Sequence, residues 1–123
     1  MQKHYSNIYA EFWIEDHILY VIFKPNTILN LQGAKKIVAD RLQFQQSREY
    51  AVYCDIRGLL KVDYDARIYL TKEGVWGIIA IAFIVEEHRT ETFARYYKIS
   101  RKFGIPIRIF RDPTEGKAYI HQL

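Results

Sequence analysis

Ile78-Ile79-Ala80-Ile81-Ala82-Phe83-Ile84-Val85 is an unbroken apolar octet of branched, aromatic and small residues. A strand with one wet face alternates apolar with polar positions, whereas a strand without polar positions has both faces covered. That is the situation at the centre of a parallel sheet with helices on either side. The octet therefore reads as an interior strand and sets the class of the chain as α/β. It does not read as a membrane span, because even the wider run Val75 to Val85 covers barely half of the ~20 residues a spanning helix requires.

Downstream of the octet, Thr92 to Phe103 puts Phe93, Tyr96, Ser100 and Phe103 on one side and Arg95, Lys98 and Lys102 on another. This predicts an amphipathic basic helix that stops at Gly104, with Pro106 beyond. Ile107 to Phe110 is a short last strand. Asp112-Pro113-Thr114-Glu115 then supplies an N-cap, a proline at N1 and an acid at N3 for a terminal helix. Upstream, Tyr50 to Ile56 is a strand, and Asp63 caps a short helix with Ala66, Tyr69 and Leu70 inward and an end at Gly74. Before that, Leu31, Ala34, Ile37, Val38 and Leu42 recur at helical spacing behind the N-cap Asn30, to about Gln46. Ile8 to Glu15 and Ile18 to Phe23 flank the polar pair Asp16-His17, which predicts an antiparallel hairpin. The expected order is ββαβαβαβα: one domain over residues 1–123, with a mixed, mostly parallel five-stranded sheet and four helices.

A chain of 123 residues, half of them hydrophobic, buries enough surface for one core without a metal or disulfide staple. Its lone cysteine, Cys54, lies inside an apolar strand, where an inert buried thiol and a reducing, cytoplasmic setting are expected. The start of the chain lacks the apolar stretch of a secretory signal. No membrane insertion is expected. The net charge of +4 is unevenly spread: Arg89 to Arg111 holds seven cations against the single anion Glu91.

Strands alternating with helices pair in parallel through right-handed crossovers, so the carboxyl ends of strands two to five share one rim. Lys24 to Thr27, Asp55 to Gly58, Glu86 to Arg89, and Arg111 with Asp112 gather there. An enzyme reading uses that rim, with Asp55 orienting His88 as general base and Arg57, Arg89 or Arg111 holding an anion. It ranks third, since Asp55 serving loop donors and His88 on an exposed loop explain the same residues. No phosphate-cradling loop is present and the four histidines lack ligand spacing, so neither cofactor nor metal is expected. The basic segment is interleaved with aromatics, but it reads as a solvated face without a nucleic-acid motif, and no nucleic acid is expected. On the short second helix, Tyr64 and Ile68 fall four apart, opposite the inward residues. With Asp65, Arg67 and Lys72 around them they have the composition of a partner-binding patch.

Val52-Tyr53-Cys54-Asp55-Ile56-Arg57-Gly58-Leu59-Leu60-Lys61-Val62-Asp63 resembles the central stretch of STAS domains, the anti-sigma-factor-antagonist-like family. The element order and the ending Arg108-Ile109-Phe110-Arg111-Asp112, with Ala118 in the last helix, resemble an uncharacterised bacterial STAS/SEC14-like branch over nearly the whole chain. The resemblance implies a small β/α superhelix that acts as a protein-binding switch, controlled by phosphorylation of a serine or threonine at the start of the second helix. Asp55 and Asp63 match the family's acidic positions, and Arg57 and Gly58 lie in the loop between them. Tyr64 stands at the phosphorylated position, so an interaction surface without a serine switch is expected. The SEC14 side of the resemblance implies the alternative, a carrier or sensor of a small hydrophobic ligand. A protein partner of unknown identity and a weak homodimer complete the expectations.

Overall fold

The structure, a computed structural model, describes residues 4–123. In chain order its elements are β1 (His4–Ser6), β2 (Ala10–Glu15), β3 (Ile18–Phe23), β4 (Thr27–Leu29), α1 (Leu31–Gln45), β5 (Tyr50–Asp55), β6 (Leu59–Val62), α2 (Tyr64–Lys72), β7 (Ile78–Ile84), α3 (His88–Ser100), β8 (Ile107–Phe110) and α4 (Pro113–His121). The α/β class, the four helices and the mostly parallel sheet are as the sequence predicts.

The strand count differs. The main sheet has six strands in the order β1-β2-β3-β5-β7-β8, and β4 and β6 form a separate parallel pair. The additional strands are three or four residues long. They arise from pairing rather than from any local alternation, which is too brief to read at that length. β7 is interior, between β5 and β8, and both of those pairings are parallel. The β2–β3 hairpin turns through Asp16 and His17, both with positive φ (53° and 64°), the left-handed pair that matches strand twist in a two-residue turn.

Alternate residues of the sheet feed two cores. Phe12, Leu19, Val21, Val52, Ile81 and Phe83 pack toward α1, α2 and α3, while Tyr20, Tyr53, Ala82 and Ile84 pack with Ile120 of α4 on the other face. Each large side chain removed from water contributes about 1.5–3 kcal/mol, so the burial of both faces of β7 beyond Ile79, which is 50% exposed, is a main source of stability.

Two helix predictions shift. α3 starts at His88 rather than Thr92, because the Thr90 hydroxyl accepts from the Glu87 N–H and closes the first turn early. The buried face becomes Thr90, Ala94 and Tyr97, and Phe103 is left exposed. In α1 the expected Leu42 is exposed, and Arg41 and Gln45 are buried in its place. Asn30 caps α1 as expected by accepting from the Gly33 N–H at 2.8 Å, and Asp112 caps α4 by accepting from Thr114. Asp63 occupies the N-cap position of α2, but its side chain makes no capping bond and lies 3.8 Å from Lys61 instead.

Asp40 ties β1 to α1. Its carboxylate accepts from the Tyr5 hydroxyl at 3.0 Å and the Asn7 amide at 2.9 Å, and pairs with Lys36 at 3.0 Å. Burial raises its pKa, but the bonds from Asn7, Lys36 and Tyr5 together outweigh this and hold it below the ordinary 3.8. A carboxylate with a depressed folded-state pKa stabilises fully above its unfolded value and loses that contribution as pH falls through the folded one. Acid titration followed by circular dichroism should therefore show stability declining below 3.8, with Asp40→Asn less stable at neutral pH and flatter across that window.

Candidate functional site

The carboxyl ends of the strands do form an open rim, a cleft of about 480 Å³ lined by Phe23, Asp55, Arg57, Gly58, Glu86 and Arg89 among others. Asp55, at the end of β5, is 6% exposed. It accepts from the backbone N–H of Arg57 at 3.0 Å and from its guanidinium Nε at 3.0 Å and Nη2 at 2.7 Å, a bidentate charge-assisted pair. The Asp55 hydrogen bond holds the Arg57 guanidinium above its ordinary pKa. This fixes the turn after β5. Ile56 N–H donates to Ile84 O and Thr27 N–H donates to Gly58 O, so the turn is stitched to β7 and to the β3–β4 connection. The dyad an enzyme reading requires is not formed: Asp55 is occupied by Arg57, and His88, exposed on the first turn of α3, makes no hydrogen bond to Asp55 or Glu86. Among the described residues no group of His, Cys, Asp and Glu could hold a metal ion.

The second candidate surface is the start of α2. Tyr64 is 65% exposed. Asp65 and Lys72 are also exposed, and Ile68 is half-buried. α2 packs against both α1 and α3, and Lys102 N–H donates to Thr71 O. Arg67 is half-buried, with its guanidinium 5.8 Å from the centre of the Tyr64 ring and 5.5 Å from that of Tyr96, cation–π distances that bridge α2 to α3. The β4–β6 pair turns Ile28 (57% exposed) and Leu60 (42%) outward, and β6 leads through Asp63 directly into α2. Lys61 pairs with Ile28 across this little sheet. No sequence period could have found this patch, because Ile28 and Leu60 come from different connections.

Between the main sheet and α1, α2 and α3 lies an interior cavity of about 60 Å³, apolar apart from Arg41, Cys54 and Tyr97. Cys54 lines it, packed against the core, and burial in these apolar surroundings pushes its thiol pKa well up, which suits the inert thiol expected there.

The basic segment is largely tied internally. Arg95 and Arg111 both pair with Glu91, whose pKa the Arg111 and Arg95 hydrogen bonds hold down. Arg89 donates to Leu59 O and pairs with Glu87. Lys102 lies 5.7 Å from the centres of the Trp76 and Phe103 rings, and Arg108 sits over Phe110 and Tyr119. Among the described residues no helix is long and apolar enough to cross a membrane.

Comparison with known proteins gives a fold and a family. A family model for a domain of unknown function, DUF7793, matches residues 12–123. No curated protein matches the sequence. Among solved structures, an uncharacterised protein of the DUF3478 family from Shewanella loihica, with a SpoIIAA-like fold, is similar with a TM-score of 0.64. The likeness covers 94% of this chain and 98% of that one at 14% identity, which speaks for the fold alone. The architecture is thus SpoIIAA-like, that is, STAS-like.

Proposed function

The chain belongs to the DUF7793 family, and we propose that it works as a non-enzymatic protein-interaction module whose partner docks at the start of α2. The observation that carries this reading is Tyr64, 65% exposed and followed by the rest of a short helix whose flanks are occupied. Ile28 and Leu60 are exposed on the β4–β6 pair, and β6 leads through Asp63 into α2. Exposed apolar residues rimmed by Asp65, Lys61 and Lys72 have the make-up of a small interface core with a charged border. The STAS resemblance puts that family's regulatory surface at the same helix start, and Tyr64 in place of serine means that recognition here does not use a serine phosphate.

Tyr64→Ala should weaken capture of the partner from the native host about thirtyfold, the equivalent of ~2 kcal/mol for a hot-spot side chain. Folding stability should change by only about 0.5 kcal/mol, as for other surface substitutions. Quantitative pull-down paired with denaturant unfolding separates the two effects. Full retention of the partner by Tyr64→Ala would overturn the reading.

A second reading is favoured by one observation, the interior cavity beneath the three helices: the domain holds a small, mainly apolar ligand. Its ligand-binding role and the surface role of α2 are compatible in one molecule.

A further inference from the structure

Among the described residues two side chains of charged type, Asp55 and Arg41, are buried, and they are treated differently. Asp55, 6% exposed, has the Arg57 guanidinium bidentate upon it. Arg41, 4% exposed, has none of the described carboxylates within ion-pair distance. Its guanidinium donates to the Gln45 side-chain oxygen and, at 3.1 Å, to Gly74 O. Gln45 in turn donates to Arg48 O at 2.8 Å and Gly77 O at 3.0 Å. Every partner in this network is neutral. An arginine keeps its proton in a protein, and a buried charge without a counter-ion is costly. Two bonds leave further donors on its five-donor fork.

Arg41 lines the cavity. Val52, Ile81 and Phe83 of the sheet and Ile37 and Val38 of α1 make the apolar walls, and Cys54 and Tyr97 are the other polar side chains. Burial pushes the Cys54 thiol and the Tyr97 phenol up, so both stay neutral and neither supplies the missing anion. The volume is about 60 Å³. One water needs about 10–15 Å³ on this measure, so there is room for roughly four to six water-sized groups.

We infer that this cavity is a binding site for a short-chain aliphatic carboxylate, with its carboxylate on Arg41 and its alkyl chain against Val52, Ile81 and Phe83. The inference rests on the second reading above and adds the charge and size of the ligand. An apolar wall with a single cation selects an amphiphile over a bare inorganic anion, which would leave the apolar surface unmatched, and over a neutral hydrocarbon, which would leave the cation unmatched. The volume sets the chain at about four carbons.

The test is calorimetric titration of the full chain with butyrate, with butyramide as the neutral isostere, and with the acetate-to-hexanoate series. Butyrate should bind at least about tenfold more tightly than butyramide, and affinity should peak at about four carbons. Cys54→Leu fills the cavity while keeping Arg41, and its butyrate affinity should fall at least tenfold. Arg41→Met should abolish the preference for the anion. Should that variant not fold, by circular dichroism, Cys54→Leu and the chain-length profile carry the test. Equal binding of butyramide and butyrate would overturn the carboxylate assignment and leave the second reading standing. Absence of binding by every probe at about 10 mM would overturn both. Butyrate affinity unchanged in folded Cys54→Leu would place the anion elsewhere and overturn the site.

Discussion

Gly58→Ala is expected to lower stability by about 3 kcal/mol, the upper end of what inserting a methyl into a filled space costs, and to lower Tm by roughly 10 °C or more for a domain of this size. A Cβ on Gly58 would lie 2.4 Å from the carbonyl oxygen of Lys24 and 2.5 Å from that of Phe23, both main-chain atoms at the end of β3. Such atoms cannot swing aside like a side-chain tip. To make room, the turn after β5 must withdraw from β3, which breaks the Thr27 N–H bond to Gly58 O and loosens β4 from β6. The Asp55–Arg57 pair would lose its geometry in the same movement. Thermal unfolding by calorimetry decides the matter, and a Tm within about 2 °C of the parent would show that the close approach is not rigid.

The second large effect is expected at Ile84, fully buried in the core on the α4 side. Ile84→Ala should cost about 3–4 kcal/mol, the sum of lost transfer energy and the cavity left behind. α4 rests chiefly on β7, β5 and β8, so amide exchange in Pro113–His121 should accelerate before that in β5. The same site predicts a coupling. A Cβ on Gly116 would lie 2.4 Å from Ile84 Cδ1, a side-chain atom that is held in place because Ile84 is wholly enclosed. Gly116→Ala alone should destabilise, despite alanine's better helix propensity of about 1 kcal/mol. In an Ile84→Val background the clashing methyl is absent and the same change should be neutral or favourable. Additive effects in the double-mutant cycle would refute the direct contact.

Tyr64 and Gly58 stand only a few residues apart, yet the expected effects differ severalfold in stability. Gly58 is closed in by main chain, whereas Tyr64 faces solvent. Spacing groups Phe93 and Tyr96 on one side of α3, and both are half-buried; the helix nevertheless begins a turn earlier, with Thr90 as its first buried residue. That start was written locally, in Glu87 and Thr90, but a threonine at N3 is a weaker signal than the glutamate or glutamine of the usual capping pair.

By itself the sequence determined what depends on neighbours along the chain. The apolar octet made β7 interior, Asp16-His17 made the hairpin, Asn30 and Asp112 began their helices, and Asp55 with Arg57 and Gly58 marked the turn after β5. Each is a short-range device, a side chain acting on backbone within a few residues or a period repeated over a helix or strand. What lies across the fold was decided only by tertiary structure. β4 and β6 exist because Thr27–Leu29 meets Leu59–Val62, and that meeting brings the exposed Ile28 and Leu60 into one small sheet. Arg41 and Gln45 are buried in preference to Leu42 where Gly74 and Gly77, more than thirty residues further on, come down on that face of α1: the Gly74 carbonyl accepts from Arg41, and Gln45 adds a second donor to the Gly77 carbonyl, which also accepts from the Tyr50 N–H. A buried carbonyl without a donor costs about 1–3 kcal/mol, comparable with what burying one leucine contributes, so hydropathy alone could not have decided which side chain turns inward.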